Sequence, residues 1–154
     1  MVELAVISAA FVMGAAIPPK YSGVGDNISP PLEWSGVPEG TQSIAVLCDD
    51  PDAPAGDWVH WVLFNLPPDI RKLEEGASPR GPLPEGAVEG LNDYDRNEYA
   101  GPCPPPGRPH RYFFKVFALD VKLGLTAGAR KPDLLKAMKG HILAEGQWMG
   151  TFRR

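Results

Sequence analysis

Two stretches of this sequence combine residues that could bind or transform a charged ligand with prolines that would hold those residues rigidly. The first, residues 49–61, places aspartates, two prolines and a glycine between two apolar runs, and His60 opens the second run. The other, residues 99–112, is a proline-rich loop that delivers His110 to the start of a further apolar run. Carboxylates and imidazoles are the groups that orient anions, hold metal ions or move protons. We therefore expect the two stretches to meet and form one pocket.

Three strands are predicted to position these stretches. Alternating apolar residues mark strands over residues 43–50, 58–66 and 110–120. Both faces of the first are apolar until its end, which predicts a central strand that is covered on both sides. Pro67 and Pro68 end the second strand, because proline cannot donate a hydrogen bond to the ladder.

Pairing of these strands would bring the chemical groups together. If the first two strands are antiparallel neighbours, the end of one adjoins the start of the next, so that Asp50 and Asp52 lie beside His60. If the third strand is also antiparallel to the first, His110 arrives at the same end of the sheet. The predicted site therefore holds two carboxylates and two imidazoles, walled by Pro54, Pro102 and Pro104.

Other residues of the same types have simpler interpretations. Asp57 is interpreted as a turn former whose side chain bonds to nearby backbone. Asp49 lies on the strand face opposite Asp50 and fits a structural or a functional role equally. His141, next to the predicted helix end, is interpreted as a hydrogen-bonded core residue. The aromatic residues of the strands are mostly assigned to the core, and Tyr112 fits either the core or the site.

The remaining pattern predicts a single, mostly antiparallel all-β domain over residues 1–154 with one short helix. The helix begins near Pro132 and ends at Gly140. Residues 75–98 form a long excursion with little periodicity, which is typical of a functional loop. The shorter predicted elements are strands at Leu4–Ile7 and Phe11–Met13, at most one helical turn at Ile70–Leu73, and a final strand over Ile142–Phe152 that is interrupted at Gly146 and Gly150.

Composition narrows the function classes. The chain of 154 residues has a net charge of -4, which argues against a nucleic-acid-binding protein. Two cysteines are too few for a disulfide framework, so we expect reduced thiols, with Cys48 in the core and Cys103 exposed. The apolar segment from Met1 to Pro18 lacks the basic start of a secretory signal and is expected to belong to the fold. No apolar run is long enough for a membrane helix, and we expect a cytoplasmic protein.

The sequence resembles the phosphatidylethanolamine-binding protein family, in particular its bacterial and archaeal branch, often labelled Raf kinase inhibitor-like. The resemblance spans nearly the whole chain and lies in five segments: Asn27–Trp34, Asp50–Pro54, Trp58–Trp61, Tyr99–Pro105 and His110–Tyr112. It implies a large antiparallel, Greek-key-like sheet packed on a smaller sheet. It also implies a pocket for phosphate or for the phosphate of a phosphoethanolamine head group, built here from Asp50, Asp52, Pro54, His60, Gly101, Pro102, His110 and Tyr112.

The expected function is binding of a small anion or phosphorylated head group, without catalysis, metal or cofactor. Backbone N–H groups around Gly101 and the rings of both histidines would donate to the phosphate, and the aspartates would orient or charge the histidines. Two alternatives stay open. The aspartates and histidines could form a metal-assisted or acid–base hydrolase, or the proline-rich loop could present a surface that inhibits a protease or kinase. A homodimer is compatible with the resemblance.

Overall fold

The strands of this chain pair into two sheets, and the larger sheet carries the three strands that were predicted to position the site. The computed structural model describes residues 2–154. These residues form nine strands and one α-helix: β1 (Val2–Glu3), β2 (Ala5–Ile7), β3 (Leu32–Ser35), β4 (Ser43–Asp50), β5 (Trp58–Leu66), β6 (Lys72–Leu73), β7 (Val88–Glu89), β8 (His110–Leu119), α1 (Lys131–Met138) and β9 (Ile142–Phe152).

The larger sheet has six strands in the order β1-β9-β8-β4-β5-β7. Strand β4 is antiparallel to both of its neighbours, β5 and β8, as the sequence predicted. Only the short β1 runs parallel to its partner within this sheet. A smaller antiparallel sheet, β2-β3-β6, packs against the larger one. The predicted all-β class, with a large sheet on a small one and one short helix, is confirmed.

Strand β4 is buried along its whole length because each of its faces meets a separate core. Ile44, Val46 and Cys48 pack in the core between the two sheets. Ala45 and Leu47 pack in a second core, against residues of α1 such as Leu134 and Met138. The period-2 alternation of a strand produces this division. It also fixes which side of the large sheet each of the two consecutive aspartates at the end of β4 faces.

Strand β9 continues through the two glycines where the sequence predicted interruptions. A Cβ at Gly146 would lie 2.1 Å from the carbonyl oxygen of Leu4, and one at Gly150 would lie 2.5 Å from the Ile17 side chain. Glycine in a strand often marks such a close approach. These glycines let the N-terminal segment cross β9, and Leu4 and Ile17 of that segment are core residues. The prediction for Met1 itself lies outside the described residues.

Two predicted short elements are wrong, in each case because a tertiary contact decides the backbone. Lys72–Leu73 is a strand that pairs with β3, and the Trp34 indole donates to the Ile70 carbonyl, 3.0 Å away. The segment Phe11–Met13 forms no strand, because the Phe11 carbonyl accepts a hydrogen bond from the Trp148 indole, 3.1 Å away.

The excursion over residues 75–98 is held by a buried asparagine. Oδ1 of Asn92 accepts from the N–H groups of Tyr94, 2.9 Å away, and Arg96, 3.1 Å away. Its Nδ2 donates to the carbonyl of Glu98, 2.8 Å away, and to that of His60, 3.3 Å away. The excursion also contributes the edge strand β7. Its residues are thereby fixed against β5, one of the strands that carry the predicted site.

Candidate functional site

The site lies where the end of β4 meets the starts of β5 and β8. These strands pair in antiparallel register as predicted, and they bring Asp50, His60 and His110 to one cavity, whereas Asp52 does not line it. A cavity of about 200 Å³ opens at this end of the large sheet. Five of the predicted site residues line it: Asp50, Pro54, His60, His110 and Tyr112. The predicted wall residue Pro104 lines it as well.

Asp50 and His110 form a close pair inside the cavity. Nδ1 of His110 lies 2.7 Å from Oδ2 of Asp50, and the two side chains are 13% and 4% exposed. The other carboxylate oxygen, Oδ1, accepts from the backbone N–H of Asp52, 2.7 Å away. Both oxygens of Asp50 are therefore engaged. The pairing fixes the His110 ring with Nδ1 toward Asp50, so its Nε2 is the nitrogen left for a ligand.

His60 is buried, and its protonation is set by a backbone carbonyl. Its Nδ1 lies 2.6 Å from the carbonyl oxygen of Ala100. A carbonyl only accepts, so Nδ1 carries the hydrogen and Nε2 of the neutral ring is an acceptor. Burial lowers the pKa of His60, although the Ala100 bond and the charge of Asp50 act against this. The neutral ring is thus favoured, and a ligand would meet a lone pair at Nε2.

Three aromatic side chains complete the polar lining. Burial, and secondarily the negative charge of Asp50, raises the pKa of Tyr112, so its hydroxyl keeps its proton. Tyr94 meets Trp58 edge-on, with ring centroids 5.4 Å apart. The Nε1 of Trp58 is buried and has no hydrogen-bond partner within residues 2–154. A buried N–H without a partner costs roughly 1–3 kcal/mol.

Three predicted site residues do not line the cavity. Asp52 instead accepts two bonds from the Arg111 guanidinium, each 2.9 Å long, and this partner lowers the pKa of its carboxyl to about 2. The N–H of Gly101 donates to Oδ1 of Asn27, 2.6 Å away, which corrects the expectation that it is free for a phosphate. The carbonyl of Pro102 accepts from Gly23, 2.8 Å away.

Gly101 is nevertheless needed for the site's architecture. A Cβ at this position would lie 2.1 Å from the carbonyl oxygen of Tyr21. The close approach that glycine permits is therefore to another segment of the chain. Gly101 and Pro102 attach the proline-rich loop to residues 21–27, and the following residues of that loop form the cavity wall.

Six residues of the lining were missed as site residues from the sequence: Ala53, Ala55, Trp58, Tyr94, Cys103 and Pro105. Trp58 could have been predicted as a site residue from the sequence, because it shares a strand face with His60. Tyr94 could not have been predicted, since it belongs to the 75–98 excursion, which has little periodicity. Cys103 is exposed and Cys48 is buried, as predicted.

The remaining candidates lie outside the cavity. Asp49 is 1% exposed and points to the opposite side of the sheet, where Lys115 and Lys131 bind it. Asp57 also pairs with Lys131, 2.5 Å away, so its main partner is a side chain and not the backbone of a turn. His141 binds Asp120 at 2.8 Å but is 43% exposed, so the expected core position is wrong.

A larger groove of about 690 Å³ lies elsewhere on the molecule, beside β1, β8 and β9. Glu3, Lys115 and Glu145 are its charged residues. It contains neither of the predicted histidines, and its lysine already binds Asp49. The groove has the larger volume, which by itself would favour it as a binding site. The smaller cavity, however, holds the polar side chains whose orientation is fixed by hydrogen-bond partners. We therefore take the smaller cavity as the candidate site.

Within residues 2–154, no three His, Cys, Asp or Glu side chains are grouped so that they could hold a metal ion. The same residues include no helix with the length and apolar character needed to cross a membrane.

Comparison with known proteins gives concordant matches. Residues 7–153 match the family model described as phosphatidylethanolamine-binding protein. A UPF0098 protein of Methanothermobacter thermautotrophicus is 54% identical over 138 residues, covering 90% of this chain and 91% of the relative. The crystal structure of CT736 from Chlamydia trachomatis, a PEBP homolog, is 42% identical with a TM-score of 0.90, covering 100% of this chain and 99% of that one. Escherichia coli YbcL, described as a member of the mammalian PEBP family, is 34% identical with a TM-score of 0.93, covering 99% of each chain.

Proposed function

Because this chain belongs to the phosphatidylethanolamine-binding protein family, we propose that its cavity binds a small phosphate-bearing ligand, either free phosphate or a phosphorylated head group such as phosphoethanolamine. One observation carries the proposal: His60, His110, Tyr112 and Trp58 line a single cavity of about 200 Å³ together with Asp50. That volume suits a ligand of a few heavy atoms better than a drug-sized one, for which pockets are typically about 300–1,000 Å³.

The cavity offers donors whose orientation is fixed before a ligand arrives. The Tyr112 hydroxyl remains protonated, and the Trp58 indole N–H lacks a partner in the described chain. The His110 ring is held through Nδ1 by Asp50, and its Nε2 donates whenever the ring carries both protons. Donors that need no rearrangement bind an anion at a lower entropy cost.

His60 favours a ligand that can also donate a hydrogen bond. Its neutral ring presents a lone pair at Nε2, which repels an oxygen that carries no hydrogen. A hydrogen phosphate has both P–O⁻ acceptors and a P–OH donor, so it can donate to His60 and accept from the donors of the cavity. A ligand without a donor would require protonation of His60, which burial disfavours.

The same walls suit the ammonium group of a phosphoethanolamine. The faces of Trp58 and Tyr94 attract cations through the ring quadrupole. The carboxylate of Asp50 lies in the same cavity and adds negative charge. A head group with both charges would therefore place its ammonium toward the aromatic wall, and its phosphate would meet the histidines in the form that still carries a P–OH hydrogen.

We propose binding without hydrolysis. Both oxygens of Asp50 are engaged by His110 and by the backbone of Asp52, so this carboxylate offers no free oxygen as a nucleophile. Incubation with p-nitrophenyl phosphate should release no phosphate above the buffer rate. Release that disappears in both His60→Ala and His110→Ala would assign the cavity to the hydrolase alternative instead.

Calorimetric titration with inorganic phosphate and with phosphoethanolamine tests the proposal. His60→Ala and His110→Ala should each weaken binding by about tenfold or more, as expected when a hydrogen bond to a charged ligand is lost. His141→Ala is the matched control, because this third histidine pairs with Asp120 outside the cavity. Tyr112→Phe removes a single hydroxyl and serves if an alanine variant does not fold. Equal affinity in the wild type and all variants would refute the proposal.

A further inference from the structure

We propose that Arg130 and Lys131, at the start of α1, are positioning residues that hold the two loops walling the cavity; the role in binding rests on the proposed function. The Asp57 loop, residues 51–57, supplies the wall residue Pro54 and leads into Trp58. The Tyr94 loop, residues 92–96, supplies the aromatic ring opposite Trp58. Each of the two basic side chains contacts one loop.

Lys131 ties the Asp57 loop to the end of β4. Its Nζ lies 2.5 Å from Oδ2 of Asp57 and 2.7 Å from Oδ2 of Asp49. Asp49 is 1% exposed and directly precedes Asp50, the carboxylate that orients His110. The Lys131 side chain is 19% exposed, so its two ion pairs are partly shielded from water. The strand end, the loop end and the helix start are thus joined at one ammonium group.

Arg130 holds the Tyr94 loop in the corresponding way. Its guanidinium pairs with the carboxylate of Asp95 and donates to the carbonyl of Asn92, 3.3 Å away. Asn92 is fully buried and its amide organises the same loop. The ion pair between Arg130 and Asp95 is exposed and contributes little to stability by itself. The hydrogen bond to the Asn92 carbonyl therefore adds to the restraint on the Tyr94 loop. The Tyr94 loop has a second attachment, because the Val59 N–H donates to Asp93, 2.7 Å away.

Arg130 and Lys131 are basic residues at the N-terminal end of α1, where the helix dipole disfavours positive charge. The N-terminal end of a helix carries partial positive charge, so a basic residue in the first turn costs about 0.3–1 kcal/mol. Lys131 is the first residue of α1 and Arg130 directly precedes it. Asp133, whose carboxylate accepts from the Arg130 N–H at 2.9 Å, already supplies the favourable acidic residue. The ion pairs with the two loops are the contacts that compensate for this placement.

Amide hydrogen exchange of the ligand-free protein tests the positioning. Lys131→Met should accelerate exchange in the Asp57 loop by about fivefold or more, because loops open locally when their restraints are lost. It should leave the Tyr94 loop unchanged. Arg130→Met should accelerate exchange in the Tyr94 loop and leave the Asp57 loop unchanged. The acceleration should be smaller, because the bond between Asp93 and Val59 still holds the Tyr94 loop. Lys131→Arg, which keeps the charge and donors, should restore protection.

Two control variants separate positioning from general stability. Lys115→Met removes the other cation bound to Asp49 without touching either loop, and Lys136→Met removes an exposed lysine of α1. Neither should change exchange in the loops. Asp57→Asn removes only the ion pair between Lys131 and the Asp57 loop, and it replaces Lys131→Met in the test if that variant does not fold. Unchanged exchange in Lys131→Met, Arg130→Met and Asp57→Asn would overturn the proposal.

Ligand titration links the positioning to binding. Lys131→Met should weaken phosphate affinity by about threefold to tenfold, since a less ordered wall must be fixed when the ligand binds. Lys136→Met should bind like the wild type. A wild type that binds neither phosphate nor phosphoethanolamine would refute the proposed function, and the exchange pattern would then decide the positioning proposal alone.

Discussion

Nδ1 of His110 lies 2.7 Å from Oδ2 of Asp50, although 60 residues separate them in the chain. The contact exists because β4 ends where its antiparallel neighbour β8 begins. Asp50 is 3% exposed, and its second oxygen accepts from the backbone N–H of Asp52. His110 is therefore a side-chain partner that stabilises this buried carboxylate. The pair contributes to the stability of the fold as well as to the proposed site.

His110→Ala should destabilise the protein by roughly 1–3 kcal/mol, because it leaves the buried carboxylate without that partner. Asp50→Asn removes the charge and should be less harmful on a background that already lacks His110. Thermal unfolding of both single variants and the double variant gives the coupling between the two residues. We expect about 0.5–3 kcal/mol of non-additivity, as is usual for residues in contact. Strictly additive effects would contradict the pairing.

The lone pair of His60 should make the cavity prefer phosphate to sulfate. At about pH 8 the ring is neutral, and we expect phosphate to bind roughly tenfold tighter, because sulfate has no hydrogen to donate. The pKa of His60 is lowered from its ordinary value of 6.5 by burial, so the ring should take up a proton, and the preference should narrow, only in acid below that value. Calorimetric titration with each anion measures the ratio.

The control for this prediction is His60→Gln. Its amide does not titrate, so the phosphate-to-sulfate ratio should then change only through protonation of phosphate itself. A wild-type ratio with the same pH dependence as that of His60→Gln would show that the His60 ring does not select the ligand.

Gly101→Ala should destabilise the fold rather than weaken the ligand contacts directly. The new methyl group would lie 2.1 Å from the backbone oxygen of Tyr21, and backbone cannot move aside as a flexible side chain can. Overpacking of this kind typically costs about 1–3 kcal/mol. Gly124→Ala is the matched control, because its Cβ would meet nothing within 4 Å. Equal melting temperatures of the two variants would contradict the steric role of Gly101.

Glu89→Gln should stabilise the protein near neutral pH. Burial raises the pKa of Glu89, although Ser78 and Trp61 donate to its carboxylate. The folded state therefore binds this proton more tightly than the unfolded state does, so the stabilisation is fully present below about pH 4 and is lost as the pH rises through the folded pKa. The melting temperature of Glu89→Gln should exceed that of the wild type at about pH 7, and the difference should vanish at about pH 4.

Glu39→Gln provides the comparison for this measurement, since Glu39 is an exposed residue of a turn. It should leave the melting temperature within the narrow range of ordinary surface substitutions, about 0.5 kcal/mol in free energy. A pH-independent difference for Glu89→Gln would show that lost packing, and not charge, determines the effect.

Much of the sheet could be predicted from local pattern. The bounds 43–50 and 58–66 agree with β4 and β5, because runs of apolar residues are bounded by glycine and proline there. The bounds 142–152 agree with β9, although the predicted interruptions at Gly146 and Gly150 are absent from this strand. Short strands were harder to predict from local pattern. Lys72–Leu73 forms a strand only because β3 offers it a partner, and no local periodicity records such a partner.

The site was predictable only to the extent that it follows from strand pairing. Asp50, His60 and His110 sit at strand ends, so antiparallel register was sufficient to bring them together. Tyr94 reaches the cavity through the excursion that Asn92 organises, and nothing in its local sequence indicates that course. Lys131 was not predicted to contribute to the site, because its partners are 74 and 82 residues away.

Local pattern predicted the main strands of the sheet and the convergence of His60 and His110 with two aspartates, of which Asp50 lines the cavity. These follow from periodicity and strand polarity, which act over a few residues. The tertiary structure alone decided which nearby groups face the ligand. It turned Asp52 toward Arg111, directed the Gly101 N–H to Asn27 and set the tautomer of His60 through Ala100. Each of these outcomes is fixed by a hydrogen-bond partner from a distant segment or an adjacent strand, and such partners exist only once the chain has folded.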